Sequence, residues 1–183
     1  MCKQVSELLG LIGYPNLFNL EQPVDLQQAG NLLHTKFCES WEQDVINVPK
    51  LRSFIKFKHE YGTEPFVKIQ NRGYRSVMAQ FRCGILPLSI ETGRFNGIPV
   101  EFRLCLFCPG NTTEDEFHFL LDCSFYSDLR QVLLTKAKSI FSDYEELHKS
   151  DKVKCLMSHE LINDTVKFMY NALQKRRTAL YQK

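Results

Sequence analysis

Three cysteines and one histidine lie close together in the segment CLFCPGNTTEDEFHFLLDC, which begins at residue 105. They are Cys105, Cys108, His118 and Cys123, here called the Cys/His tetrad. Thiolate sulfur and imidazole nitrogen are the ligands of structural zinc sites, four at a time in a tetrahedron. Because the protein fills all four positions, no position remains for a substrate or a water molecule. The spacing therefore predicts a closed structural zinc site with zinc as the cofactor.

The residues around the tetrad indicate how it is positioned. A tight turn aims both thiolates of a C-x2-C pair at one point, and Pro109-Gly110 supplies a sharp exit from that turn. Thr113 to Glu116 has the T-x-x-E form of a capping box, which predicts that a helix starts there. His118 would then lie in the second turn of that helix, with Cys123 just beyond its end.

The cysteines allow two other interpretations. Cys105 and Cys108 can be a redox pair, but no βαβ pattern surrounds them and His118 would be left unexplained. The four residues can also be unconnected members of the core. The remaining cysteines have no partner at ligand spacing and are interpreted as ordinary buried thiols or, for the first, a terminal residue: Cys2, Cys38, Cys83 and Cys155.

The length of 183 residues fits one domain, or one domain with a small appendage. No apolar run is long enough to span a bilayer, and the first residues do not have the pattern of a signal peptide. We therefore expect an intracellular protein, nuclear or cytoplasmic and not secreted. In such a reducing compartment, clustered thiols bind metal more often than they form disulfides.

Apolar residues recur mostly at helical spacing, and strand patterns are scarce. The fold class predicted is mainly α, a helical domain with a small inserted Cys3His zinc module. The predicted helices cover residues 3–11, 24–46, 49–61, 65–82, 125–141 and 159–182, with Gly73 as a weak point in the fourth and an ordered loop over 83–103. The chain then divides into a helical segment 1–48, a basic segment 49–103, a zinc knuckle-like module 104–124 and C-terminal helices 125–183.

Positive charge is concentrated in the middle of the chain. Residues 50–103 hold ten basic and four acidic side chains, whereas the whole chain has a net charge of only +2. An anionic partner would be attracted to this segment. The residues predicted to contact phosphates are Lys56, Arg72, Arg75, Arg82 and Arg94. Aromatic residues are interleaved with these charges, and Phe57, Phe95 or Phe107 can stack on unpaired bases.

Three sequence blocks follow one another: PKLRSFIKFKHEYGTEPFVK, RSVMAQFRCGILPLSIETGRF and the cysteine module with EDEFHFLLDC. Over roughly residues 41–183 they resemble the reverse transcriptase zinc-binding region, the C-terminal tail of non-LTR (LINE-type) retrotransposon reverse transcriptases. The resemblance implies a zinc knuckle-like element that helps a reverse transcriptase hold template RNA or target DNA. It also implies that the tetrad ligates the zinc and that the reverse transcriptase of the parent polyprotein is a partner. Residues 1–40 are less diagnostic and would be linker or thumb-adjacent.

The chain contains no Asp-Asp pair of the kind that a reverse transcriptase needs for two metal ions, and no endonuclease motif. We therefore expect no enzyme activity and no small-molecule substrate. The first functional hypothesis is a module that binds nucleic acid, either RNA or single-stranded or target DNA. The alternative is a structural or protein-interaction helical domain whose zinc only stabilises it, such as a truncated or co-opted retroelement fragment.

Overall fold

The computed structural model describes residues 25–48 and 61–182, together with residues 7, 9–11, 13, 51, 54–56 and 58. The chain forms two compact units. The first comprises Met1–Pro49 with His59–Tyr61, and the second comprises Lys50–Lys58 with Gly62–Lys183. The basic segment of the sequence and the Cys/His tetrad therefore both belong mainly to the second unit.

The main described element of the first unit is helix α1, Leu26–Ile46, which confirms the helix predicted over 24–46. The Asp25 carboxylate begins it by accepting hydrogen bonds from two N–H groups of the first turn, at 2.9 and 3.1 Å. The Tyr61 ring packs edge-on against Phe37 and Trp41, with centroid distances of 4.9 and 5.7 Å. Residues 7 and 9–11 are helical as predicted, and the other residues of the predicted helix 3–11 lie outside the described part.

The described α-helices of the second unit are α2 (Arg72–Arg82), α3 (Ser89–Phe95), α4 (Ser127–Ile140), α5 (Lys149–Leu156) and α6 (Ile162–Tyr181). Short 3-10 helices cover Phe54–Lys56, Pro65–Lys68, Val100–Phe102 and Ser124–Tyr126, and a π-helix covers His118–Asp122. Within the described residues the only β pairing is an isolated bridge between Leu104 and Thr113. The predicted mainly α fold is confirmed. No described helix combines the length and apolar character that crossing a membrane requires.

The helix predicted over 49–61 is wrong for the described residues, which contain only short 3-10 turns there. Lys58 explains the difference, because its ammonium group donates to the Gly62 carbonyl at 2.7 Å and lies 3.0 Å from the Glu64 carboxylate. These contacts turn the chain instead of continuing a helix. The helix predicted over 65–82 is divided, with a break at residues 69–71.

Asn71 and Gly73 determine how α2 begins. The Asn71 side chain caps the helix by accepting from the Tyr74 N–H at 3.1 Å, so the break precedes the predicted weak point at Gly73. A Cβ atom on Gly73 would lie 3.0 Å from the Tyr170 ring of α6. Glycine therefore lets α2 approach α6 closely at this position.

Helix α3 lies inside the segment predicted to be a loop, so that prediction is wrong for Ser89–Phe95. The buried Glu114 carboxylate accepts from both the N–H and the hydroxyl of Ser89, at 2.8 and 2.7 Å, and thereby caps the helix from outside. Gly93 faces Arg103 so closely that a Cβ would lie 2.6 Å from the Arg103 Cγ. The helix depends on these distant residues and not on local helical signals.

The core lies where α6 packs against α2 and α4. Val77, Met78 and Phe81 of α2 are buried, which agrees with their i, i+1 and i+4 positions on one face of the helix. On α4, however, Val132 is 75% exposed although it lies among apolar residues at helical spacing. The buried positions of that helix are Arg130, Leu133 and Ala137.

Candidate metal centre

A short antiparallel pairing holds the first two cysteines. The Cys105 N–H donates to the Thr112 carbonyl at 2.9 Å, and the Glu114 N–H donates to the Arg103 carbonyl at 2.9 Å. Between the paired segments, the turn at Pro109-Gly110 reverses the chain as predicted. These bonds close the loop that carries Cys108 and keep its thiol near that of Cys105.

The next residue, Asn111, has a φ of +49° and so takes the left-handed conformation. Asparagine tolerates this region better than most side chains do, since its short polar group can bond locally. The Thr112 hydroxyl supports the same turn by donating to the Gly110 carbonyl at 2.9 Å. The turn therefore depends on Asn111 for its unusual backbone angle.

The second arm differs from the predicted capping box. Thr113 takes part in the β-bridge, and the Asp115 carboxylate is the group that accepts from the His118 N–H, at 2.8 Å. The helix therefore starts later than predicted. Cys123 lies just beyond the helix end, as expected, and its N–H donates to the His118 carbonyl at 2.8 Å.

This last bond joins residues five apart and defines a π turn, the wider relative of the α turn. In an α-helix of 3.6 residues per turn, side chains five positions apart point to different sides. The wider turn brings His118 and Cys123 to the same side. Single π turns are frequent at functional sites. This one allows two ligands that are separated by four residues to lie on the same side of the helix.

The structure brings all four predicted ligands together, with their ligand atoms within 4.8 Å of one another. The Cys105 and Cys123 sulfur atoms are 3.7 Å apart, and the Cys108 sulfur lies 3.4 Å from the His118 Nε2. Zinc bonds of about 2.3 Å to sulfur and 2.0–2.1 Å to nitrogen would place these pairs about 3.8 and 3.6 Å apart in a regular tetrahedron. The tetrad therefore fits a tetrahedral metal ion.

The same distances argue against the other interpretations of these cysteines. A disulfide needs sulfur atoms about 2.05 Å apart, and all the described cysteines are free thiols. Unconnected core residues would not converge their polar atoms on one point. A group that can bind a metal ion accounts for the positions of all four side chains.

Burial sets the protonation of the ligands. Desolvation raises the pKa of the Cys123 thiol to about 12, and it also raises the pKa of Cys105. For His118, desolvation lowers the pKa and so favours the neutral imidazole, which is the form that binds metals. Cys105 and Cys123 therefore hold their protons in the absence of a metal, and a metal ion has to displace those protons.

Two buried arginines surround the tetrad. Arg130 of α4 donates to the carbonyls of Leu120 and Phe119 at 2.8 and 3.1 Å, which fixes the π-helix. Arg176 of α6 donates to the fully buried Glu114 carboxylate, which lies 3.8 Å from the Cys105 sulfur. Sequence reasoning missed these roles, because no local pattern relates an arginine on α4 or α6 to the cysteine module.

The residues predicted to contact phosphates do not form one surface. Arg82 is buried, with 4% of its surface exposed, and bonds to the Glu64 carboxylate at 2.6 Å. Arg82 is therefore part of a buried ion pair, and the predicted phosphate contact is wrong for this residue. Burial costs an isolated guanidinium more than it costs one with a carboxylate partner, which explains the pairing.

Two more of these arginines use their guanidinium groups within the fold. Arg75 donates to the carbonyls of Ile69 and Gln70, which precede α2. Arg94 bonds to both carboxylate oxygens of Glu91, at 2.9 and 2.7 Å. Arg72 is exposed, and the side chain of Lys56 lies outside the described part.

Of the predicted stacking residues, Phe95 is 74% exposed, with the Arg94 guanidinium 4.5 Å from its ring centroid. Phe107 instead stacks on Phe125 at 4.9 Å and lies under Arg176, so it is part of the packing around the tetrad. Phe57 lies outside the described residues. Of the two predicted stacking residues that the structure describes, Phe95 is the one whose ring is open to solvent.

Comparison with protein-family profiles, with curated proteins and with solved structures finds no match. The resemblance to the reverse transcriptase zinc-binding region therefore remains an expectation based on the sequence blocks. The candidate metal site depends on the observed geometry of the tetrad and not on that resemblance.

Proposed function

We propose that the tetrad holds one zinc ion with a structural role, and that the chain is a non-catalytic module that binds nucleic acid. The observation that carries the zinc proposal is the convergence of three thiols and one imidazole at tetrahedral spacing. Zinc would tie the β-bridged loop of Cys105 and Cys108 to the π-helix of His118 and Cys123. A four-ligand site leaves no open position, so its binding energy stabilises the fold.

The charges around the tetrad support a bound dication. Three thiolates, one neutral imidazole and one divalent ion carry one net negative charge. Arg130 is buried and its positive charge acts on Cys123 and His118, which offsets that charge. Glu114 adds a second negative charge, and its partner Arg176 balances it. Arg130 and Arg176 therefore offset the charges of the metal-loaded tetrad and of Glu114, and the buried Glu116 carboxylate adds one further negative charge.

The nucleic-acid proposal rests on the resemblance and on the cations that the fold leaves open. Lys68 and Arg72 lie on the two sides of the break before α2, and both are exposed and make no ion pair within the described part of the chain. Exposed cations of this kind bind phosphates and release counterions. The partner would be RNA, or single-stranded or target DNA, held beside the reverse transcriptase of a parent polyprotein.

Salt-dependent binding tests this proposal. Fluorescence anisotropy of labelled single-stranded RNA and DNA oligonucleotides should show binding to the zinc-loaded full chain at low salt. The logarithm of the affinity should fall with the logarithm of the salt concentration, by about 0.7 for each phosphate contact. Arg72→Gln should reduce that slope. Absence of binding at low salt, or an affinity that does not change with salt, would contradict the proposal.

The structure also favours a second candidate function. Arg75, Arg82 and Arg94 bond to carbonyls and carboxylates of the fold, so the basic segment offers less free charge than its sequence suggests. A structural or protein-interaction domain with a purely stabilising zinc agrees with this use of the arginines. A fully zinc-loaded chain that binds no oligonucleotide would support this alternative.

A further inference from the structure

An open groove of about 590 Å³ lies between helices α2 and α6 of the second unit. This volume lies in the range of about 300–1,000 Å³ that is typical of ligand sites. Val77 and Leu173 supply apolar surface to the groove, and polar side chains also line it. Gly73 permits the close approach of the two helices, because a larger residue would meet the Tyr170 ring.

The charge of the groove favours an anion. Its lining contains two arginines and no aspartate or glutamate. The buried Arg176 is neutralised by Glu114, but Arg177 is exposed and makes no ion pair within the described residues. An anionic group that enters the groove would therefore meet one free guanidinium and no opposing carboxylate.

The groove also offers hydrogen-bonding groups that suit a flat polar edge. The Gln174 side chain is half-buried and its amide has no hydrogen-bond partner among the described residues. On the facing helix, the Gln80 amide donates to the Ser76 hydroxyl at 3.3 Å, which leaves its carbonyl oxygen available as an acceptor. Amides combine a donor and an acceptor and can pair with the edge of a base.

An exposed aromatic ring completes the set. Tyr181, at the end of α6, lines the groove and is 85% exposed. Tyr170 also lines the groove, but it packs against Tyr74 with ring centroids 5.2 Å apart. Tyr181 is therefore the ring that is free to stack on a flat ligand. Stacking on aromatic rings is the usual way in which proteins hold unpaired bases.

We infer that this groove binds one unpaired nucleotide of a single-stranded nucleic acid. Its base stacks on Tyr181 and meets the Gln174 amide with its edge, and its phosphate contacts Arg177. The inference rests on the proposed function, because it assigns one nucleotide of the bound strand to this groove. An acidic peptide would satisfy Arg177 but would have no flat face for the tyrosine.

The test uses the zinc-loaded full chain and a fluorescein-labelled ten-nucleotide oligouridine or oligothymidine. Arg177→Gln should weaken binding several-fold and reduce the salt slope by about 0.7. Tyr181→Ala should weaken binding about tenfold, with an unchanged salt slope. The matched control is Lys167→Gln, because Lys167 is an exposed cation on α6 that lies outside the groove. All three side chains are exposed, so folding should be preserved, and circular dichroism checks it.

The outcomes distinguish a failure of the groove assignment from a failure of the proposed function. If the wild-type chain binds no oligonucleotide, both fail. If it binds, but Arg177→Gln and Tyr181→Ala change affinity no more than Lys167→Gln does, the groove assignment fails and the proposed function stands. Photocrosslinking of 5-iodouridine oligonucleotides to wild-type protein gives a second readout and should modify Tyr181. Displacement of the oligonucleotide by polyglutamate at equal charge would overturn recognition of a nucleotide.

Discussion

Arg176 of α6 donates a hydrogen bond to Glu114, which lies 62 positions earlier in the chain beside the Cys/His tetrad. Both residues are buried. The same carboxylate accepts from Ser89 and lies 3.8 Å from the Cys105 sulfur, while the Arg176 Nε donates to the Pro87 carbonyl at 3.0 Å. One buried ion pair therefore connects α6, the start of α3 and a candidate metal ligand.

Glu114→Gln should strongly destabilise the protein. The substitution leaves the Arg176 guanidinium buried without a counter-charge, and removing one partner of a buried pair costs about 3–5 kcal/mol. We expect the free energy of unfolding of the zinc-loaded chain to fall by that amount, as measured by urea denaturation. The double variant Glu114→Gln/Arg176→Met should regain a large part of the loss, because neither charge then remains.

An exposed ion pair provides the control. Asp151 and Lys154 lie 2.9 Å apart on the surface of α5, where solvent screens their attraction. Asp151→Asn should leave stability nearly unchanged. If Glu114→Gln behaved like this control, the pair would not have the connecting role assigned to it.

Cys108→Ser should abolish stoichiometric zinc binding. The wild-type chain should contain one zinc per molecule by elemental analysis, and cobalt substitution should give the visible absorption of a tetrahedral thiolate site. Structural zinc contributes roughly 10–16 kcal/mol in small modules, so we expect residues 104–124 to lose protection from hydrogen exchange in the variant. Cys155→Ser is the matched control, because Cys155 is half-buried and outside the tetrad. Wild-type protein without zinc, purified without chelators, would refute the site.

Zinc affinity should rise steeply with pH. Burial raises the pKa of Cys123 to about 12 and raises that of Cys105, so both thiols are protonated at neutral pH in the absence of metal. Each thiol must release a proton to bind the metal as a thiolate, so protons compete more strongly with the metal as the pH falls. Competition with a chelator between about pH 6.5 and 8 should show up to three protons released per zinc. A pH-independent affinity would mean that the thiols are not the ligands.

The ligand set and several helices could be predicted because their signals are local. The tetrad lies in one short segment, and thiol and imidazole side chains at that spacing have few other uses. Helices α1 and α6 show sustained apolar periodicity, and both match the predictions closely. In such segments the chemistry of neighbouring residues determines the structure.

Other features depend on residues far apart in the chain. Arg82 was predicted to contact phosphates, but in the structure it is buried and pairs with the Glu64 carboxylate. Helix α3 contains a glycine and lies between turn residues, and it forms because Glu114 caps it through Ser89. No local sequence pattern indicates these pairings, so apolar periodicity alone could not predict them.

Tyr144→Phe should leave the protein equally stable or make it slightly more stable at neutral pH. The Tyr144 hydroxyl is buried and has no hydrogen-bond partner within the described part of the chain. A buried unsatisfied polar group is unfavourable, so its removal should add up to about 1 kcal/mol to the free energy of unfolding. Urea denaturation of both proteins at neutral pH measures the difference.

The advantage of the phenylalanine should grow at alkaline pH. Desolvation raises the pKa of Tyr144 to about 12, above its ordinary value of 10.0. Between these values the unfolded chain loses the proton and the folded chain keeps it, so the wild type loses stability as pH rises above about 10. Tyr144→Phe lacks this ionisation and should lose less. The control is Tyr181→Phe, at an exposed ring, which should have the same stability as the wild type at neutral and at alkaline pH. A Tyr144→Phe variant less stable than the wild type would show that the Tyr144 hydroxyl makes a bond that the fold needs.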